Sequence, residues 1–152
     1  MRPPLLHIGY HQTGTTWLQR CVFRNAVAGF SFAAGGKTLR PAFVELDPPS
    51  FDPDTARRTF EPGIRKAQDG DLLPVLSAER LSGNPHFRSQ DGEAIAVRVA
   101  AALPEARVLI GIREQRSILV SLYKQYVKRG GPVSFRRYAS AEPGADGAPS
   151  AR

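Results

Sequence analysis

Two groups of residues in this sequence have the types and spacing to hold an anion. The first lies in HIGYHQTGTTWLQ, residues 7–19. Gly9 and Gly14 have the spacing of the nucleotide-binding pattern G-x-x-x-x-G-K-[ST], but Thr15 stands where that pattern needs lysine. Backbone N–H groups from about Thr13 to Trp17 would be orphan donors at a helix start, and the helix dipole adds partial positive charge there. Such a cradle holds an anion without a cationic side chain, and the Thr15 and Thr16 hydroxyls add donors. The same residues would also serve a tight strand-to-helix turn with no ligand. The second group is Arg113 with Ser121 eight residues on. An arginine can grip a phosphate bidentately and a serine adds one more donor. Its plain alternative is a helix-start arginine paired with Glu79 or Glu114.

The elements that must position these groups follow from hydrophobic spacing. PLLHIGY (4–10) is an apolar run ending in glycine, as for a buried strand. From Thr15 the spacing turns helical, with Trp17, Leu18, Cys21, Val22 and Val27 along one side. Residues 29–51, with Gly35-Gly36 and Pro48-Pro49, read mostly as loop. Asp52-Pro53 predicts a helix start, with Pro62-Gly63 ending it just after Phe60. DLLPVLSAE (71–79) predicts a second strand, which Pro74 assigns to an edge or a bulge. An Ala-rich helix over 91–104 leads to ARVLIGI (106–112), the strongest strand signal in the chain. REQRSILVSLYKQYVKRGG (113–131) then predicts a helix stopped by Gly-Gly.

Strands alternating with helices imply an α/β domain with a parallel β-sheet flanked by helices. In such a sheet, ligands collect outside the C-terminal ends of the strands, where Gly14 and Arg113 would both lie. The domain is expected over 1–139, and the low-complexity stretch 140–152 is expected to be a disordered tail.

With 152 residues, 41% of them apolar, the chain has the length and composition of one globular domain. A net charge of +7 suits an anionic ligand or partner, although arginine-rich surfaces also serve solubility alone. Lys and Arg are scattered rather than interleaved with aromatics, which argues against a nucleic-acid partner. The single cysteine, Cys21, allows no intrachain disulfide and reads as a buried helix residue. No apolar run approaches the ~20 residues of a membrane span, and the N-terminus lacks a signal-peptide core. A cytoplasmic location with no membrane partner is expected. No metal site is expected.

Taken together, the two groups resemble the sulfotransferase family that uses 3′-phosphoadenosine-5′-phosphosulfate (PAPS). That family's first loop reads approximately K-[ST]-G-T-T-x-L, matched here from Thr13 to Leu18. Its second motif, R-x(7)-S-x-Y, is matched by Arg113, Ser121 and Tyr123. The likeness runs from about residue 4 to 135. It implies a P-loop-like fold in which Thr13, Gly14, Thr15 and Thr16 hold the 5′-phosphosulfate. Trp17 would stack on adenine, although a helix Trp on an apolar stripe also reads as core, and Arg113 with Ser121 would fix the 3′-phosphate. PAPS carries no β,γ-phosphate chain with Mg²⁺, so the lysine of a nucleotide triphosphatase is not required.

Three departures accompany the resemblance. Gln12 stands where the family has its loop lysine, so charge on the leaving group would be met more weakly, with His11 an adjacent candidate cation. Nothing after Gly131 matches the family's basic C-terminal segment, which implies that the C-terminal part of the fold is missing. The acceptor, a small-molecule or glycan hydroxyl, needs a general base, for which Glu79 is the candidate and His86 the alternative. His7 is expected to be a strand residue without a chemical role, and Tyr123 and Tyr126 to be core or ligand contacts alike. Two other classes stay open: a catalytically silent 3′-phosphonucleotide-binding module and a P-loop kinase or triphosphatase without its lysine.

Overall fold

A computed structural model describes residues 2–10, 13–83 and 91–140. The expected tail from residue 141 on, His11, Gln12 and His86 lie outside the described residues.

The chain runs β1 (Leu5–Gly9), α1 (Thr15–Trp17, continued by π-helical turns over Leu18–Val22), β2 (Phe30–Gly35) and α2 (Gly36–Phe43). It continues through α3 (Pro53–Asp69), β3 (Leu73–Ser77), a 3₁₀ turn (Glu79–Ser82) and α4 (Asp91–Ala102). The last elements are β4 (Arg107–Gly111), α5 (Gln115–Lys128) and α6 (Phe135–Ala139). Four strands form one sheet in the order β2-β3-β1-β4, and every pairing is parallel. The architecture is therefore α/β, a parallel sheet flanked by helices. No helix among the described residues is long and apolar enough to cross a membrane.

The main core lies on the face of β1 that carries Leu6. There Leu6 and Leu76 meet Leu39 and Phe43 of α2, Phe60 of α3, and Ile95 and Val99 of α4. Phe43 and Phe60 stack at 5.5 Å. Full burial of each such side chain contributes about 1.5–3 kcal/mol, so this cluster fixes how α2, α3 and α4 sit on the sheet.

Three elements differ from the sequence expectation. Residues 29–51 are not mostly loop: β2 and α2 occupy them. Phe30, Phe32 and Ala34 alternate along β2, and Leu39 and Phe43 share a helix face, signals that the glycine and proline pairs obscured. Second, α3 runs through Pro62-Gly63 to Asp69. Proline inside a helix costs about 3 kcal/mol, but the turns beyond it bury Ala67 and pack Ile64 on the core. Gly63 lets α3 approach β2 closely, since a β-carbon there would lie 2.9 Å from the Ala33 carbonyl. The predicted helix start is observed, with the Asp52 carboxylate accepting from the Thr55 N–H at 2.9 Å. Third, Pro74 sits in an interior strand, and the register irregularity lies on its neighbour β2, between Phe32 and Ala34. Leu73 donates its N–H to Gly29, so by alternation Pro74 turns its nitrogen toward β1. The β1–β3 ladder begins only at Leu5 opposite Val75, and the missing donor falls just before it.

β4 forms as expected but is uncovered. Val108, Leu109 and Ile110 are 41–55% exposed and Ile112 is 81% exposed, on both faces of the sheet edge. Beyond it, α5 is N-capped by Glu114, whose carboxylate accepts from the Arg116 and Ser117 N–H groups. The Gly-Gly stop holds: Gly130 has φ +85° and Gly131 donates to Tyr126 O at 3.0 Å. Tyr123, Tyr126, Phe135 and Tyr138 form a small aromatic cluster between α5 and α6.

Candidate anion-binding site

Parallel pairing brings three strand ends together. Gly9 of β1 is in register with Gly111 of β4, and His7 with Ser77 of β3. The Tyr10 N–H donates to Gly111 O at 3.2 Å, and the Ala78 N–H donates to His7 O at 3.2 Å. The loop after β1 is thus flanked by the ends of β3 and β4. On one side of β1 the chain leaves toward β2, and from β3 it crosses to β4, so the connections diverge between β1 and β3. Ligand crevices of open α/β sheets form at such a point.

Within the loop, Thr13 donates its hydroxyl to Tyr10 O at 2.6 Å. Gly14 is left-handed at φ 83° and caps α1, a conformation that favours glycine. Thr15 is buried, while Thr16 is exposed. The N–H groups of Thr15, Thr16 and Trp17 are the first-turn donors of the helical segment, for which the helix itself has no acceptor. Trp17 is 62% exposed, outside the core. Of the apolar stripe expected along α1, Leu18 and Val22 are half-buried, whereas Trp17 and Cys21 are exposed and Val27 is 99% exposed. Phe23, edge-on to His7, and Gln19, bonded to Ser77, reach the sheet, along a segment whose period the π-helical turns shift.

Arg113 follows the end of β4 and is exposed, its Nε donating to Ser117 Oγ at 3.0 Å. Ser121 lies one helical turn past Ser117 on α5. Arg113 comes two residues after Gly111, whose carbonyl accepts from the Tyr10 N–H, and Ser121 lies further along the chain in α5. Tyr123 donates its hydroxyl to Val133 O at 3.1 Å, within the aromatic cluster. Glu79, half-buried, opens the 3₁₀ turn after β3, where the Ser82 hydroxyl donates to Glu79 O at 2.7 Å. A depression lined by Arg2, Gln68, Asp71 and Leu72 lies at the opposite end of the sheet and holds none of these residues.

Sequence reasoning missed a buried polar chain beneath the loop. His7 is fully buried, with Nδ1 2.8 Å from Ser77 Oγ and its ring edge-on to Phe23 at 5.1 Å. Gln19 donates to Ser77 Oγ at 3.0 Å and to Ser77 O at 3.1 Å. Ser77 Oγ accepts from Gln19, and with its own hydrogen assigned to Nδ1 the ring proton sits on Nε2. A histidine inside an otherwise apolar strand was the signal.

Burial pushes the His7 pKa below its ordinary value. The unfolded chain then binds more protons than the folded one below about pH 6.5. Stability should be full above that pH and fall as the pH drops from 6.5 through the folded pKa. Hydrogen bonds from Thr55 hold Asp52 below the usual carboxylate range, and those from the Arg116 and Ser117 N–H groups do the same for Glu114. Both contribute above about pH 4.5 and lose their contribution below it, in a separate window. Urea midpoints between pH 5 and 8 should show the slope, and His7→Asn should flatten it.

The fold and the site define an α/β domain with a glycine- and threonine-bearing loop between its first strand and first helix. Comparison of the chain with protein-family models, curated proteins and solved structures finds no match.

Proposed function

We propose that the chain is a PAPS-dependent sulfotransferase domain of P-loop-like fold, transferring a sulfuryl group to a hydroxyl of a small molecule or glycan. One observation carries the reading. The two motifs that resemble the family, far apart in sequence, start from adjacent parallel strands at the same end, with Gly9 opposite Gly111. The strand order is compatible with that fold.

In this reading Thr13, Gly14, Thr15 and Thr16 cradle the 5′-phosphosulfate, and exposed Trp17 offers a face to adenine. Arg113 and Ser121 receive the 3′-phosphate, Arg113 sharing or releasing its bond to Ser117. The acceptor oxygen attacks sulfur, the bond from sulfur to the bridging oxygen breaks, and Glu79 takes the acceptor's proton. Adenosine 3′,5′-bisphosphate leaves. Gln12, uncharged where the family has lysine, favours a second reading in which the chain binds the 3′-phosphonucleotide without turnover.

Thermal melting tests the nucleotide assignment. Adenosine 3′,5′-bisphosphate should raise the melting temperature, because a ligand that binds only the native state stabilises it by mass action. ATP with Mg²⁺ should raise it less. Equal shifts from the two nucleotides would sink the 3′-phosphate reading.

A further inference from the structure

The underside of the loop is crowded with polar atoms. A β-carbon at Gly111 would lie 3.2 Å from Thr13 Oγ1 and 3.7 Å from His7 Nε2. One at Gly9 would overlap the Thr15 hydroxyl, lie 3.1 Å from Thr13 Oγ1 and 3.4 Å from His7 Cε1. The imidazole edge and two threonine hydroxyls therefore converge where the two glycines pass. Thr13 is committed to Tyr10 O. His7 Nε2 and Thr15 Oγ1 are buried and have no hydrogen-bond partner among the described residues. Two orphaned polar atoms in one buried spot are uncommon, and each costs free energy until something satisfies it.

We propose that His7 supplies the positive charge the loop lacks: when a dianion seats in the loop, the imidazole takes up a proton and, with Thr15, faces the anion as its polar floor. This rests on reading the loop as an anion site. Thr13, Gly14, Thr15 and Thr16 carry no cation, so a charge beneath the loop would add to what its backbone donors supply. Beneath it lies a neutral imidazole with its Nε2–H uncommitted. The groups facing that ring are the Ser77 hydroxyl of β3, the Gln19 amide and Phe23 ring of α1, and the Thr13 and Thr15 hydroxyls. All are uncharged. The ionisable groups that follow the flanking strands at this end of the sheet are Glu79 and Arg80 after β3, and Arg113 and Glu114 after β4.

Solvent screens a buried ring poorly, so a dianion nearby favours the imidazolium strongly. The added proton comes from solvent and lands on Nδ1. Ser77 Oγ then turns from donor to acceptor, a hydroxyl rotation with no movement of heavy atoms. Anion binding and protonation of His7 are thereby coupled, each raising the affinity for the other by the same factor.

Calorimetry with inorganic sulfate tests this, because sulfate does not itself titrate near neutrality. Sulfate is titrated at pH 6.5 in buffers of different ionisation enthalpy, with ionic strength held by chloride. Uptake of about half a proton per sulfate is expected, with affinity rising about 10-fold from pH 8 to pH 6. His7→Asn should abolish the uptake and the pH dependence; uptake that survives this change would trace to His11 or His86. In the unmutated protein, imidazole nitrogen resonances of His7 should move toward imidazolium as sulfate is added, a readout independent of how the variant folds. Sulfate binding without uptake, or uptake that follows His11 or His86, overturns the proposal and leaves the anion site standing. Absence of sulfate binding overturns both.

Discussion

Gly9→Ala should destabilise the protein by about 1–3 kcal/mol and weaken sulfate binding by about 10-fold or more. Gly9 does not have a positive φ, so its backbone accepts alanine and the cost is one of space. A methyl there would overlap the Thr15 hydroxyl and press on Thr13 Oγ1 and the His7 ring at 3.1 and 3.4 Å. Thr15 is buried, and relief would require moving the first turn of α1 away from the strand ends. That is the turn whose N–H groups would hold the anion. Stability and binding therefore fall together. Gly9→Ala with Thr15→Ala separates them: removing the hydroxyl clears the overlap and should restore most of the urea midpoint, while sulfate binding stays weak for lack of that donor. A Gly9→Ala protein that melts and binds like the parent would show that the loop is loose rather than close-packed.

How far the sequence reached depended on what each residue was answering to. β1, β3, β4 and α5 were legible because apolar runs and stop signals are local. The Gly-Gly stop after α5 and the Asp52 cap of α3 were legible for the same reason. Pro62 and Pro74 misled because their cost is local whereas their compensation is tertiary: α3 continues because Ala67 and Ile64 bury beyond the proline. Pro74 is tolerated inside the sheet because its nitrogen falls ahead of the β1–β3 ladder. β2 and α2 were hidden by Gly35-Gly36, where a glycine reads as a break although it here joins a strand to a helix. In the site, the alternation of strands and helices was enough to put Gly14 after β1 and Arg113 after β4. The His7–Ser77–Gln19 chain was not legible, because it joins residues 58 and 70 positions apart that only parallel pairing brings together. The exposure of β4 was equally out of reach, since an apolar strand looks the same in sequence whether or not something covers it.

If the chain transfers sulfuryl groups from PAPS as proposed, Glu79→Gln should lower that rate by about 100-fold or more while leaving affinity for adenosine 3′,5′-bisphosphate within about twofold. The argument begins with the strand. Ala78 donates its N–H to His7 O, which ties the end of β3 to β1, and Ser82 donates to Glu79 O, which fixes the 3₁₀ turn that starts at Glu79. The carboxylate is thus carried on backbone held from both sides, at the β1–β3 junction where the sheet's connections diverge. In the proposed reading, an acceptor entering that crevice would lie between the loop after β1 and the turn that starts at Glu79. Glutamine keeps the shape and can still hydrogen-bond the acceptor hydroxyl, but it cannot take the proton that must leave as oxygen bonds to sulfur. A base acts in the transition state alone, so the loss belongs in turnover rather than in nucleotide affinity. Glu79→Asp, with the base shortened but present, should lie between the two. Equal losses in rate and nucleotide affinity would make Glu79 a structural support of the turn. An unchanged rate would move the base to His86 or to another residue altogether.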